Sequence, residues 1–136
     1  MATAGYSGTP LPKKLGIKEG TLLATLHAPD GFDATLGALP PEAERRARLS
    51  AGLHVVVAFY TSRAALVAEW PKLTKAAAPN GTIWVAWPKK ASKIPTDITE
   101  DVLRELLLPS GWVDNKVCAI DDTWSGLRFA LRRALR

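Results

Sequence analysis

The sequence predicts a single α/β domain: a three-layer arrangement with a mostly parallel sheet, closed by a C-terminal antiparallel hairpin. Three observations carry that expectation. The run LHVVVAFY (53–60) is nearly continuous in apolar residues, as a strand buried on both faces of a parallel sheet must be. Strand-like and helix-like segments alternate along the middle of the chain. Near the C-terminus, two apolar-alternating runs are joined by the turn Asp121-Asp122-Thr123-Trp124.

Taken in order, 5–12 is a Gly/Ser/Pro-rich lead-in read as loop, with one helical turn over 12–15 ending at Gly16. TLLATLH (21–27), bounded by Gly20 and Pro29, reads as the first strand. A short helix over 30–36 takes Asp30 as N-cap, and Leu39-Pro40-Pro41 breaks it. The charged segment 44–49 is assigned as a short edge strand. After the 53–60 strand, Ser62 is a good N-cap for a helix over 63–77, with Pro71 expected to kink or divide it. Asn80-Gly81 is a turn signal before the strand 82–87. Asp97 and Glu100 match a capping box ahead of the helix 98–108, where Val102, Leu103, Leu106 and Leu107 share one apolar face. Pro109 and Gly111 stop it. Strands over 112–121 and 125–134 complete the hairpin, and the expected sheet order is 2-1-3-4-6-5.

Composition narrows the function classes. The 136 residues fit one domain, and 47% apolar content is enough for a packed core. A net charge of +5 leans towards anionic partners but is modest for a nucleic-acid binder. The single cysteine, Cys118, cannot form an internal disulfide, in keeping with a reducing cytoplasm. The first residues lack a basic and an apolar signal region, and no apolar run is long enough to span a bilayer. The expectation is a soluble cytoplasmic protein without a membrane partner.

The segment from Gly81 to Ser92 carries the sharpest chemical signal. A buried-looking strand stops at Pro88 and releases Lys89, Lys90 and Ser92. Ligands of open α/β sheets gather at the carboxyl ends of the strands, where the strand order reverses. That crevice is expected between the strands starting at Thr21 and Leu53, lined by His27, Asp30, Thr61 and Ser62. The hairpin adds Trp124, Ser125 and Arg128, with Asp121 and Thr123 in its turn. Lysines, a serine, an arginine and the amides near 96–99 suit a phosphate or a carboxylate. The plain alternative is that the lysines are solvated, that Thr96, Asp97 and Thr99 are helix caps, and that the tryptophans are packing.

Other chemistries find less support. His27 and His54 are too few and too separate for a metal site. Cys118 lies mid-strand and reads as a small buried hydrophobe. No P-loop and no nucleophile elbow are present. The first strand runs into His27-Ala28-Pro29-Asp30-Gly31, with one glycine where a dinucleotide fingerprint has three, and no carboxylate ends the second strand. The expectation from these residues is no standard cofactor, with S-adenosylmethionine unlikely. Arg45, Arg46 and Arg48, together with Arg128, Arg132, Arg133 and Arg136, form basic patches that leave open a non-catalytic module binding a protein or nucleic acid.

Two resemblances add to this reading. The lead-in Lys14-Leu15-Gly16-Ile17-Lys18-Glu19-Gly20, the string Ala78-Pro79-Asn80-Gly81-Thr82-Ile83-Trp84-Val85 and the terminal hairpin resemble the class I methyltransferases. That resemblance implies a Rossmann-like (methyltransferase-like) fold and no activity by itself. Across the whole chain, the strings Gly5-Tyr6-Ser7-Gly8-Thr9-Pro10-Leu11, Leu15-Gly16-Ile17, Trp87-Pro88-Lys89-Lys90-Ala91-Ser92 and Thr99-Glu100-Asp101-Val102 resemble a short bacterial family, the domain of unknown function number 3052. Val113-Asp114-Asn115-Lys116-Val117-Cys118-Ala119 and Trp124-Ser125-Gly126-Leu127-Arg128-Phe129 extend the likeness. It implies no assigned activity.

Overall fold

A computed structural model of the chain describes residues 9–136. The first part of the lead-in and the Gly5-Tyr6-Ser7-Gly8 string lie outside the described residues. In chain order the elements are α1 (Leu11–Lys14), β1 (Leu22–Leu26), α2 (Phe32–Leu36), β2 (Glu44–Arg46), β3 (Val55–Phe59), α3 (Arg63–Ala77), β4 (Thr82–Pro88), α4 (Glu100–Leu107), β5 (Trp112–Ala119) and β6 (Trp124–Leu131). They form one mixed α/β unit around a six-stranded sheet of order β2-β1-β3-β4-β6-β5. β1 pairs in parallel with β2 and with β3, and β3 with β4. β6 runs antiparallel to both β4 and β5.

The alternation of side chains along β3 divides the core in two. Val56 and Ala58 pack with Leu66 and Leu73 of α3 and Leu103 of α4. Val55, Val57 and Phe59 pack on the other side with Leu11, Leu15, Phe32 and Leu36. Trp84 of β4 is fully buried, and its indole N–H donates to the Leu15 carbonyl at 2.9 Å, tying the lead-in to the sheet. A buried indole needs such an acceptor.

Several local expectations are corrected. Pro71 does not divide α3, which is one helix of 15 residues. The amide that proline lacks would have met the carbonyl of Val67, a residue on the exposed side of the helix, where the loss is least costly. Asp30 is not the cap of α2. Gly31 holds that position at φ 85°, a left-handed conformation that suits glycine. Asp97 does not cap α4 either. Thr99 does so, accepting from the Val102 amide at 3.2 Å, while the Asp97 carboxylate accepts from the Arg63 amide at 2.8 Å, at the start of α3. Ser62 caps α3 as expected, accepting from Ala65. β5 ends at Ala119, short of the expected 121, because Asp121 accepts from the amides of Thr123 and Trp124 and folds the turn early. β6 starts one residue early at Trp124 and ends at Leu131, where a single tight turn over Arg133–Leu135 follows.

Gly81 sits where a side chain cannot. A Cβ there would lie 2.3 Å from the Leu53 carbonyl oxygen and 2.7 Å from that of Ala77. Both obstacles are backbone, so Gly81→Ala is expected to cost about 3 kcal/mol, read as a fall of roughly 10 °C in melting temperature. Asp97→Ala should cost about 1 kcal/mol and speed amide exchange at the start of α3. Faster exchange at the start of α4 instead would show that the cap had been assigned to the wrong helix.

Candidate functional site

The strand order reverses between β1 and β3, and three side chains meet at the carboxyl ends of those strands. His27 follows β1 directly. Tyr60 follows β3. Glu69 reaches over from α3, whose cap at Ser62 fixes where the helix begins. The Tyr60 hydroxyl donates to Glu69 Oε1 at 2.7 Å, and His27 Nε2 lies 2.8 Å from the same oxygen. The two rings meet edge to face, with centroids 5.5 Å apart. His27 holds φ 58°, an uncommon conformation for a residue with a Cβ.

Burial and hydrogen bonding set the charge states. The Tyr60 hydroxyl is pushed well above the usual phenol range by burial first, then by the bond to Glu69 and its negative charge. The Glu69 carboxyl is held below its usual range chiefly by the Tyr60 hydrogen bond, with His27 and the charge of Lys72 adding to it and partial burial opposing it. An ionised carboxylate accepts, so His27 Nε2 donates to it, and in the neutral imidazole Nδ1 is then an acceptor. Glu69 Oε2 takes no hydrogen bond among the described residues. His27 is half exposed and Glu69 one-quarter exposed. The cluster therefore holds unengaged acceptor atoms on a fixed frame, suited to a hydroxyl or ammonium donor.

The residues singled out in the sequence fall into separate groups. His27, Thr61 and Ser62 stand at the β1–β3 ends. Thr61 is exposed and accepts from the Thr96 hydroxyl through its carbonyl, and Ser62 is spent on its cap. Asp30 is exposed on the turn after β1. Lys89, Ser92, Trp124 and Ser125 gather at the β4–β6 corner in architectural roles. Lys89 Nζ donates to the Asp121 carbonyl at 2.6 Å, and Ser92 Oγ donates to the Lys89 carbonyl. Trp124 packs edge to face on Phe59, and Ser125 pairs with Trp87 in the ladder. Lys90 is exposed. Arg128 is not at this edge. It lies over Trp84, bonds Asn115 and helps line a cavity at the amino ends of β1, β3 and β4.

Glu69 and Tyr60 escaped the sequence reading. Tyr60 ends an apolar run and reads as core, and nothing in the helical pattern of α3 marks Glu69 off from a solvated residue. The first basic patch is partly neutralised, since Arg45 pairs with Asp33 and Arg46 with Glu44. Among the described residues no helix is long and apolar enough to cross a membrane, and no group of three or more metal-ligating side chains occurs.

No family model and no curated protein matches the chain. Solved structures do. A SAM-dependent methyltransferase from Aquifex aeolicus superposes with a TM-score of 0.59 at 12% identity, over 86% of this chain and 85% of that one. The N-methyltransferase NodS from Bradyrhizobium japonicum WM9 gives 0.60 at 10% identity, over 90% and 93%. The DhpI–SAH complex gives 0.59 at 13% identity, over 91% and 83%.

The fold is methyltransferase-like.

This likeness overturns the expectation that S-adenosylmethionine is an unlikely ligand. That expectation rested on a missing glycine string and on the lack of a carboxylate at the end of the second strand. The turn after β1 carries left-handed His27 and Gly31 rather than consecutive glycines.

The cluster sets a pH signature. Folding lowers the Glu69 carboxyl below its ordinary 4.5, so its contribution to stability is fully present above that value and is lost as pH falls through the lower native value. Tyr60 is raised above 10.0, so its contribution is present below that pH and lost as pH climbs beyond it. Glu69→Gln should flatten the acid limb of a stability-against-pH curve between about pH 5 and pH 2. Tyr60→Phe should move that limb to higher pH. Denaturant melts across the range check both, and an unchanged acid limb in Glu69→Gln would remove the cluster from the account.

Proposed function

We propose that the chain is a Rossmann-like small-molecule-binding domain that takes its ligand in the crevice at the carboxyl ends of β1 and β3, with S-adenosylmethionine the first candidate. The observation supporting this reading is the hydrogen-bonded cluster His27–Glu69–Tyr60 at the point where the strand order reverses. Glu69 would accept from hydroxyl or ammonium groups of the ligand, His27 Nδ1 would accept a further hydrogen, and Tyr60 would hold the carboxylate in place. When bound, S-adenosylmethionine supplies a transferable methyl group. An anionic part of the ligand, a carboxylate or phosphate, would find the exposed Lys90 at the end of β4. The whole-chain string resemblance further supports a place in the short bacterial family of unknown function 3052, acting in the cytoplasm.

The experiment is a thermal-shift and calorimetric titration with S-adenosylmethionine, S-adenosylhomocysteine, adenosine and a nucleoside triphosphate. A ligand at a hundred times its Kd should stabilise the fold by about 2.7 kcal/mol. Glu69→Gln and His27→Ala should each weaken binding by roughly tenfold or more, while the unliganded proteins melt cooperatively. Absence of any shift with the wild type, or full binding in Glu69→Gln, would sink the assignment.

A further inference from the structure

The connection from β2 to β3 has to cross β1 from one edge of the sheet to the other. Both strands run parallel to β1 and flank it, so the chain leaves Arg46 at the carboxyl edge and re-enters at Val55 at the amino edge. Crossovers of this kind normally contain a helix that covers the sheet. Here residues 47–54 make the passage with no helix. The segment runs on the α3 side: Leu49 packs against the core that contains Leu66 and Leu73, and the Leu53 amide donates to the Ala76 carbonyl. Between this segment and α3 lies a cavity of about 500 Å³.

The lining of that cavity is of two kinds. Leu26 at the end of β1, Leu49 of the crossover and Ala76 of α3 are apolar. Arg48, Lys72 and Lys75 are basic, and no carboxylate lines the space. None of the three basic groups is in an ion pair or a side-chain hydrogen bond among the described residues. Lys72 has a carboxylate close enough to influence, Glu69, one turn earlier on α3, but that carboxylate is bonded to Tyr60 and His27.

We infer that this groove is a second binding site, for a small anion with an apolar body: a carboxylate, sulfonate or phosphate carried on an aryl or acyl group. The volume is in the range of small-molecule sites. The apolar floor supplies the burial, and three cations in a lining without a carboxylate select the sign of the ligand. The groove shares none of His27, Tyr60 and Glu69 with the strand-end cluster, and Lys72 touches that cluster only through its charge on Glu69.

The test uses two fluorescent probes with the same aromatic skeleton. One is the anionic 1-anilinonaphthalene-8-sulfonate, the other the uncharged N-phenyl-1-naphthylamine. The anionic probe should bind the folded protein saturably, one per chain, and roughly tenfold more tightly than the neutral one. Lys72→Ala combined with Lys75→Ala, both at exposed positions, should remove that preference and leave the neutral probe unaffected. Leu49→Asp should weaken both probes, and a cooperative melt confirms that the variant is folded. Equal binding of the two probes, binding that does not saturate, or an unchanged preference in the double lysine variant would overturn the inference. Size-exclusion runs of the same proteins add one more adverse outcome. If the wild type is a dimer that Leu49→Asp dissociates, the groove is covered by a second copy and the small-anion site is wrong.

Discussion

Every other element is placed by the burial of β3 on both faces and both edges. Its five residues are all buried. A strand in that position must pair its backbone on each side, because an unpaired buried amide or carbonyl costs free energy. β1 and β4 meet that demand in parallel register. Its side chains must also meet apolar partners above and below, which brings α3 and α4 to one face and α1 and α2 to the other. The direction of β3 then fixes which edge of the sheet carries Tyr60. The position of the cluster is a consequence of a packing requirement.

Tyr60 shows how the core becomes a site within one residue. It continues the apolar run, and its ring is almost fully buried, yet its hydroxyl must find an acceptor because burial leaves it no water. Glu69 supplies that acceptor from the helix packed on the same face. The carboxylate is only partly buried, so its ionised form keeps some contact with water, and the Tyr60 bond supplies much of the rest of its stabilisation. His27 completes the arrangement from the neighbouring strand, at the expense of a left-handed backbone that a glycine would have taken more easily. A turn residue held in that conformation gives up stability unless its side chain has something to do. Here the bond to Glu69 and the edge contact with Tyr60 are what it does.

The fold was largely legible in the sequence, and the site was legible only in part. The 53–60 run, Ser62 as a cap and the alternation in 125–131 depend on neighbours close in the chain, so their signals are local. The order of the sheet followed from connection rules that leave few arrangements open. Glu69 was invisible because its partners are nine and forty-two positions away in sequence and belong to different elements. Asp97 was misassigned for the same reason: a nearby helix offered a capping box, while the amide it accepts from lies thirty-four positions back. Lys89 drew attention as a cation at a strand end. Only the fold shows that the Asp121 carbonyl lies within its reach, so the charge serves the β5–β6 turn.

The question that remains for the cluster is whether it is more than a satisfied tyrosine. A hydroxyl needs one acceptor, and a backbone carbonyl or a threonine would provide it without bringing a charge to the edge of the core. The protein instead brings a carboxylate, loads both donors onto one of its oxygens and leaves the other oxygen unengaged. It adds a half-exposed imidazole whose outer nitrogen is equally unengaged. Neither feature is needed to bury Tyr60. Both are what a site requires if it is to meet a hydrogen-bond donor from outside, in a position where the carboxylate is already fixed and already ionised. Lys72, one turn further along α3, reinforces that charge state and also lines the basic groove. One helix thus holds a carboxylate at the strand ends and cations along the uncovered crossover, and the two stretches of α3 carry opposite charge.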